Sequence, residues 1–154
     1  MASPNQSIIL KRSRGGFTFI EVAIAMAIMV SLIGIGLPAG WGFYQTYQFS
    51  AEVNVLASLL EQARSAAMAN RNESSHGVYL GAAEFILFQG STYATRNTAL
   101  DRSFPRNSII AIAGPTELTF TPLSGQPSAS TTYAFTAGQK AWSININSQG
   151  AISY

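Results

Sequence analysis

Residues 14–30, RGGFTFIEVAIAMAIMV, decide the fold of the N-terminal part of this chain. They open an apolar run, residues 17–37, of 21 residues in which Glu21 is the single ionisable side chain. As a helix this run would be about 31 Å long, close to the thickness of the hydrocarbon layer of a bilayer. A charge inside such a segment is costly, so a carboxylate there is by default a functional residue.

The charges that flank the apolar run give it a direction. Lys11, Arg12 and Arg14 precede it, and no further Lys or Arg occurs before Arg64. Because basic residues stay on the cytoplasmic side of a membrane segment, this asymmetry predicts a cytoplasmic N-terminus. We therefore expect a single-pass protein of the cytoplasmic membrane, with its C-terminal bulk outside the cytoplasm.

Composition limits the remaining function classes. The 154 residues suffice for one ordinary domain and a terminal segment, and with 47% hydrophobic and 10% charged residues the chain is too apolar for global disorder. The absence of cysteine excludes a disulfide framework, a thiolate metal site and a cysteine nucleophile. Without residues 1–16, six basic residues face seven acidic ones, so bulk charge does not favour nucleic-acid binding.

Three interpretations of the N-terminus are open. A secretory signal would be cut after a shorter apolar region, and Gly40-Trp41-Gly42 fits such a cleavage site loosely. A plain signal anchor explains the length and the basic flank and treats Glu21 as a tolerated charge. The third interpretation places the cut before the apolar run, between Gly16 and Phe17.

The third interpretation rests on a resemblance. Basic residues, then Gly-Phe-Thr-Phe-Ile-Glu at 16–21 and an unbroken apolar helix, resemble the signal of type IV pilins and type II secretion pseudopilins. The resemblance implies cleavage by prepilin peptidase between Gly16 and Phe17 and N-methylation of Phe17. It also implies Glu21 as the acid that pairs with a terminal amine, its own or a neighbour's, during filament assembly. The implied partners are other pilin or pseudopilin subunits, the inner-membrane assembly platform, and membrane lipid before extraction.

Two further features of the helical part follow. Pro38 removes a helix hydrogen bond and glycines weaken helices, so Gly34, Gly36 and Pro38 predict a helix interruption, which in the pilin family can unwind in the filament. Beyond it an amphipathic continuation is expected over residues 39–72. Its apolar stripe, spaced by three and four residues, should cover a sheet: Phe49, Val53, Leu56, Leu60, Ala63 and Ala67.

Residues 73–154 predict a β-rich domain. Short alternating runs separated by glycine-containing turns predict strands at 77–80, 84–89, 108–112, 117–121, 131–136, 141–147 and 151–153, with irregular stretches at 91–107 and 122–130. Short connections favour antiparallel pairing. The expected fold is therefore α+β, a long N-terminal helix packed on an antiparallel sheet, over four segments: leader 1–16, transmembrane helix 17–38, amphipathic helix 39–72 and domain 73–154.

The C-terminal domain resembles H-type minor pseudopilins and related minor pilins through Phe104-Pro105, the run Glu-Leu-Thr-Phe at 117–120 and Ile-x-Ile-x-x-x-Gly at 144–150. The resemblance implies a structural subunit of a type IV pilus or a type II secretion pseudopilus. Two alternatives are a membrane-anchored binding module that does not polymerise and a DNA-binding minor pilin for uptake.

Few residues of the domain form a pattern that indicates catalysis or ligand binding. His76 is the only histidine and is expected near a helix end, and no metal-binding, phosphate-binding or paired-carboxylate motif occurs. We expect no enzymatic activity, no metal and no cofactor. Arg96, Arg102 and Arg106 share one loop with Tyr93 and Phe104, an arrangement that could bind an anionic nucleic-acid strand but that is more commonly a solvated loop.

Overall fold

The computed structural model describes residues 16–154, apart from the side chains of residues 36–42. The chain divides into two compact units, one ending at Gly42 and the other comprising Phe43–Tyr154. Within the described residues the single α-helix is α1, Phe19–Met68, and a 3₁₀ turn follows at Arg71–Glu73. The overall class is therefore α+β with antiparallel sheets, as predicted.

The C-terminal half of α1 packs through the predicted stripe. Leu56, Leu60, Ala63 and Ala67 are fully buried, and Phe49 and Val53 are nearly so. Polar residues at neighbouring positions, such as Ser58 and Glu61, are exposed. Apolar residues at helical spacing thus form one face against the sheets, which confirms the prediction for this part of the helix.

The end of α1 is stabilised both by its own sequence and by a hydrogen bond from a distant part of the chain. Asn70 adopts a left-handed conformation (φ 48°), a common way to end a helix. The backbone N–H groups of Asn70 and Leu123 both donate to the Ala67 carbonyl, each at 2.9 Å. The helix ends at Met68, close to the predicted end around residues 70–72.

Eight strands lie in the described part of the chain, in two antiparallel sheets. The first has the order β3-β2-β1-β5 and the second the order β4-β6-β7-β8. The strands are β1 His76–Leu80, β2 Glu84–Gln89, β3 Arg102–Pro105, β4 Ala111–Ala113, β5 Glu117–Phe120, β6 Thr131–Ala137, β7 Lys140–Ile146 and β8 Ile152–Ser153.

Both sheets contribute to one core together with α1. Val78, Phe85, Leu118 and Phe120 come from the first sheet, and Tyr133, Phe135, Ile144 and Ile146 from the second. In β5, β6 and β7 the buried residues alternate with less buried ones. This period of two is the pattern from which those strands were predicted.

Two sequence predictions for the sheets were incomplete. The stretch predicted as irregular contains β3, an edge strand paired with β2 from Glu84–Pro105 to Leu87–Arg102. A proline at the end of an edge strand costs no ladder bond, which explains why Pro105 is compatible with it. The strand predicted to start at Ser108 begins at Ala111, because residues 107–110 form a turn in which the Asn107 side chain accepts from the Ile109 N–H at 3.0 Å.

Candidate functional sites

The N-terminus of α1 is organised by Thr18, the residue before the helix begins at Phe19. The Glu21 backbone N–H donates to the Thr18 carbonyl at 3.1 Å and makes a long 3.4 Å contact with the Thr18 hydroxyl. Glu21 is thus the third helical residue, and the pair has the spacing of a capping box. A carboxylate in the first turn is also favoured by the helix dipole. The Glu21 backbone N–H thus closes the first turn, and its carboxylate lies where the helix dipole favours a negative charge.

Gly16 and Phe17, the predicted cleavage pair, lie before the helix. Both are exposed: Phe17 has 84% of its surface accessible, and a methyl group built on Gly16 would meet no atom within 4 Å. The peptide bond between them is accessible to a peptidase in the isolated chain. Cleavage at this bond stays a prediction.

The large apolar side chains in the first turns of α1 are also exposed in the isolated chain. They are Phe19, Ile20, Val22, Ile24, Met26, Ile28, Met29, Val30, Leu32, Ile33 and Ile35. An exposed apolar surface of this extent marks an interaction site, because water is a poor solvent for it. Within the described residues, no helix meets the combined demands of length and apolarity for crossing a membrane.

Comparison with known proteins identifies this N-terminal segment. Residues 11–37 match the prokaryotic N-terminal methylation motif. The matched residues include the basic flank, the Gly16–Phe17 bond and Glu21, and they support a type IV pilin-like precursor processed by prepilin peptidase. No curated protein and no solved structure gives a match.

The match to the methylation motif ends at residue 37, so it includes Gly34 and Gly36 of the predicted helix interruption but not Pro38. The bounds of α1 include all three residues, so the helix does not end there. A proline ring and several glycines make helical structure at this point less stable than at neighbouring turns. Unwinding of the segment in a filament stays a prediction.

The structure reveals an ion pair that the sequence did not predict. Glu52 lies on α1 outside the predicted apolar stripe, yet only 7% of its surface is exposed. Its carboxylate accepts the Asn107 backbone N–H at 3.1 and 3.2 Å and lies 3.9 Å from the Arg106 Nε. The Arg106 guanidinium donates to the carbonyls of Gly81 and Ile110 at 2.9 and 3.0 Å.

Burial raises the pKa of Glu52, and the Asn107 hydrogen bond and the Arg106 charge oppose that rise. Glu52 therefore joins α1 to the turn before β4, and Arg106 joins the same turn to the β1–β2 connection. The pair is a structural tie, because the guanidinium donates to two backbone carbonyls of the fold, although its buried Nε–H has no hydrogen-bond partner within the described residues.

Two of the three arginines predicted as an anionic-strand surface, Arg96 and Arg106, are paired with acids. Arg96 Nε donates to Asp101 at 2.7 Å, which raises the pKa of Arg96, and its guanidinium stacks 3.6 Å above the Tyr93 ring. Tyr93 in turn stacks on Tyr79, with 3.7 Å between ring centroids. Arg106 is tied to Glu52. The loop therefore does not present three free cations beside open aromatic rings, and this weighs against the DNA-binding alternative.

His76 lies at the start of β1 and is 94% buried. Its Nε2 lies 3.0 Å from the Arg71 carbonyl, so the imidazole donates a hydrogen bond to the turn that follows α1. This agrees with the expectation of a residue near a helix end. Within the described residues no group of three or more His, Asp or Glu side chains could hold a metal ion.

Proposed function

We propose that this chain is the precursor of a structural filament subunit, a pilin or minor pseudopilin of a type IV pilus or type II secretion pseudopilus, and not an enzyme. The observation that carries the proposal is the methylation motif at residues 11–37, overlapping an apolar helix exposed in the isolated chain. The α+β domain that follows is consistent with a pilin-like build. An H-type minor pseudopilin or related minor pilin is the subtype we favour.

In this proposal the apolar helix is used twice. Residues 17–38 first hold the precursor in the cytoplasmic membrane, with the domain outside the cytoplasm. After cleavage at Gly16–Phe17 and methylation of Phe17, the assembly platform extracts the subunit into a filament. There the exposed side chains that faced lipid pack against the helices of other subunits, so the same apolar surface serves both states.

Glu21 has a specific part in the proposed assembly. Cleavage creates an α-amine at Phe17, which is largely cationic near neutral pH. The carboxylate lies one helical turn away and could pair with its own terminus or with that of an axially staggered neighbour. In an apolar surrounding an unpaired charge of either sign is costly, so pairing favours one axial register of the neighbouring subunit.

The processing step is tested by mass spectrometry of the chain expressed together with a prepilin peptidase. We expect a mature N-terminus at Phe17, carrying one methyl group. Gly16→Leu should block cleavage because a bulky residue replaces the exposed glycine at the cut. An intact leader in the wild type, or a mature terminus near Gly40 or Gly42, would refute the proposed processing.

The assembly step is tested by co-purification with the major subunit at matched expression. Glu21→Gln is the informative variant, because glutamine retains the ability to cap the helix but has no charge. If pairing with the amine dominates, Glu21→Gln should lose incorporation to nearly the extent of Glu21→Ala, with cleavage unaffected. Glu61→Ala, which removes an exposed acid from the same helix, is the matched control. Wild-type recovery of Glu21→Gln would reduce the role of Glu21 to capping.

A further inference from the structure

A small cavity lies beside the C-terminal end of α1 and is lined by residues that no step of the proposed assembly uses. It has a volume of about 210 Å³, room for a small ion and several waters at about 30 Å³ each. Its polar lining comes from α1, the 3₁₀ turn and β1–β3: Gln62, Arg71, Asn72, His76, Gln89 and Arg102. No carboxylate is among the described residues that line it.

The hydrogen bonds around this cavity engage the amide oxygens of Gln62 and Gln89. Arg102 Nη1 donates to Gln62 Oε1 at 3.1 Å, and since a guanidinium can only donate, the Gln62 amide oxygen must face it. The Gln62 NH₂ group is then left as a donor. The Asn72 Nδ2 donates to Gln89 Oε1 at 2.9 Å, which leaves the Gln89 NH₂ group as a donor and the Asn72 amide oxygen as an acceptor.

The two arginines are held at the cavity in different ways. The Arg71 carbonyl is fixed by buried His76, which anchors the turn that carries the Arg71 side chain. Within the described chain Arg71 has no acid within salt-bridge distance, and neither has Arg102. The Arg102 guanidinium, 5.5 Å from the centre of the Phe104 ring, keeps most of its N–H groups available. The two exposed arginines therefore line the cavity without a counter-ion from the described part of the chain.

We propose that this cavity is a binding site for a small oxyanion group, a phosphate or a carboxylate, held by Arg71 and Arg102. Guanidinium groups match both anions through paired N–H donors, and charge-assisted hydrogen bonds of this kind are the strong ones. The amide donor of Gln62 adds a neutral contact. None of the described residues that line the site belongs to the apolar segment 17–38, so the site stands or falls separately from the filament function.

The test uses the full-length chain in a non-ionic detergent, titrated with inorganic phosphate and, in a second arm, with acetate at constant ionic strength. The readout is the ¹⁵N–¹H resonance of each arginine Nε. We expect saturable shifts at Arg71 and Arg102 in at least one arm, and the arm that saturates at lower concentration identifies phosphate or carboxylate as the preferred group. Arg71→Gln and Arg102→Gln should each weaken binding about tenfold, the loss expected for one charge-assisted contact.

Lys140→Gln is the matched control, because it removes the same charge from β7, away from the cavity. Its affinity should equal that of the wild type. Arg71→Lys keeps the charge but not the paired donors, so it should bind more weakly than the wild type and more tightly than Arg71→Gln. Linear shifts without saturation in both arms, or an equal loss for Lys140→Gln, would overturn the proposal.

Discussion

Replacing Arg106 by alanine should destabilise the domain severely although the side chain carries charge. About 10% of the Arg106 side chain and 8% of the Glu52 side chain is exposed. The substitution removes the hydrogen bonds to Gly81 and Ile110, and within the described residues it leaves the Asn107 N–H as the remaining partner of the Glu52 carboxylate. Breaking one side of a buried pair costs about 3–5 kcal/mol, against a total stability of about 5–15 kcal/mol for a domain.

The pH dependence of this loss has a defined sign. Burial raises the pKa of Glu52 in the folded state, so between the ordinary and the raised pKa the native state binds more protons than the unfolded state. Stability therefore falls as pH rises through that window. Removing Arg106 removes the positive charge that lowers the pKa of Glu52, so the pH range over which stability falls extends to higher pH. The deficit of Arg106→Ala should shrink as pH falls from about 7 towards about 4.5, where the stranded carboxylate becomes protonated.

The assay is urea unfolding of the compact unit Phe43–Tyr154, followed by circular dichroism for the wild type, Arg106→Ala, Glu52→Gln and the double variant. Glutamine keeps an acceptor for the Asn107 N–H and removes the charge. We expect Arg106→Ala to cost at least about 1 kcal/mol less in the Glu52→Gln background than in the wild type. Additive losses, together with a deficit independent of pH, would refute the argument that the buried charge is what Arg106 stabilises.

Two further predictions concern packing in the same unit. Leu60→Asp should abolish cooperative unfolding, because it places an unpaired carboxylate at a fully buried position. Ser58→Asp, at an exposed position of the same helix, should change the unfolding free energy by less than about 1 kcal/mol. A native-like unfolding transition of Leu60→Asp would contradict the burial of this face of the helix. Gly150→Ala should destabilise the domain more than Gly138→Ala. Both glycines have φ of 60–75°, but only at Gly150 would the new Cβ lie 2.5 Å from the Gly125 carbonyl oxygen. Equal losses of unfolding free energy in urea would mean that the backbone conformation alone sets the cost.

The elements with a regular local pattern of apolar residues could be predicted from the sequence. The stripe from Phe49 to Ala67 was predictable because a helix repeats every 3.6 residues, so the spacing of its apolar residues indicates which side of the helix is buried. Several strands were predictable for the same reason, through their period of two. Cleavage between Gly16 and Phe17 was predicted from a short local signal that lies within the match at residues 11–37, and it stays a prediction.

Strand pairing and charge partners needed the tertiary structure. Nothing within the run Arg102–Pro105 alternates clearly, and it is a strand because β2 offers it an edge. The division of the strands into two sheets, where a single sheet was expected, likewise depends on which edges meet.

The periodic elements and the N-terminal signal could be predicted from the amino-acid order, because both are properties of neighbouring residues. The partners of the charged side chains could not, because they depend on the folded chain. Glu52 meets a turn 55 residues further along the chain, and the three loop arginines go to a carboxylate within the loop, a cavity beside α1 and a buried tie. Long side chains can reach several partners, and the partner that is closest depends on how distant segments fold together, which no local period records.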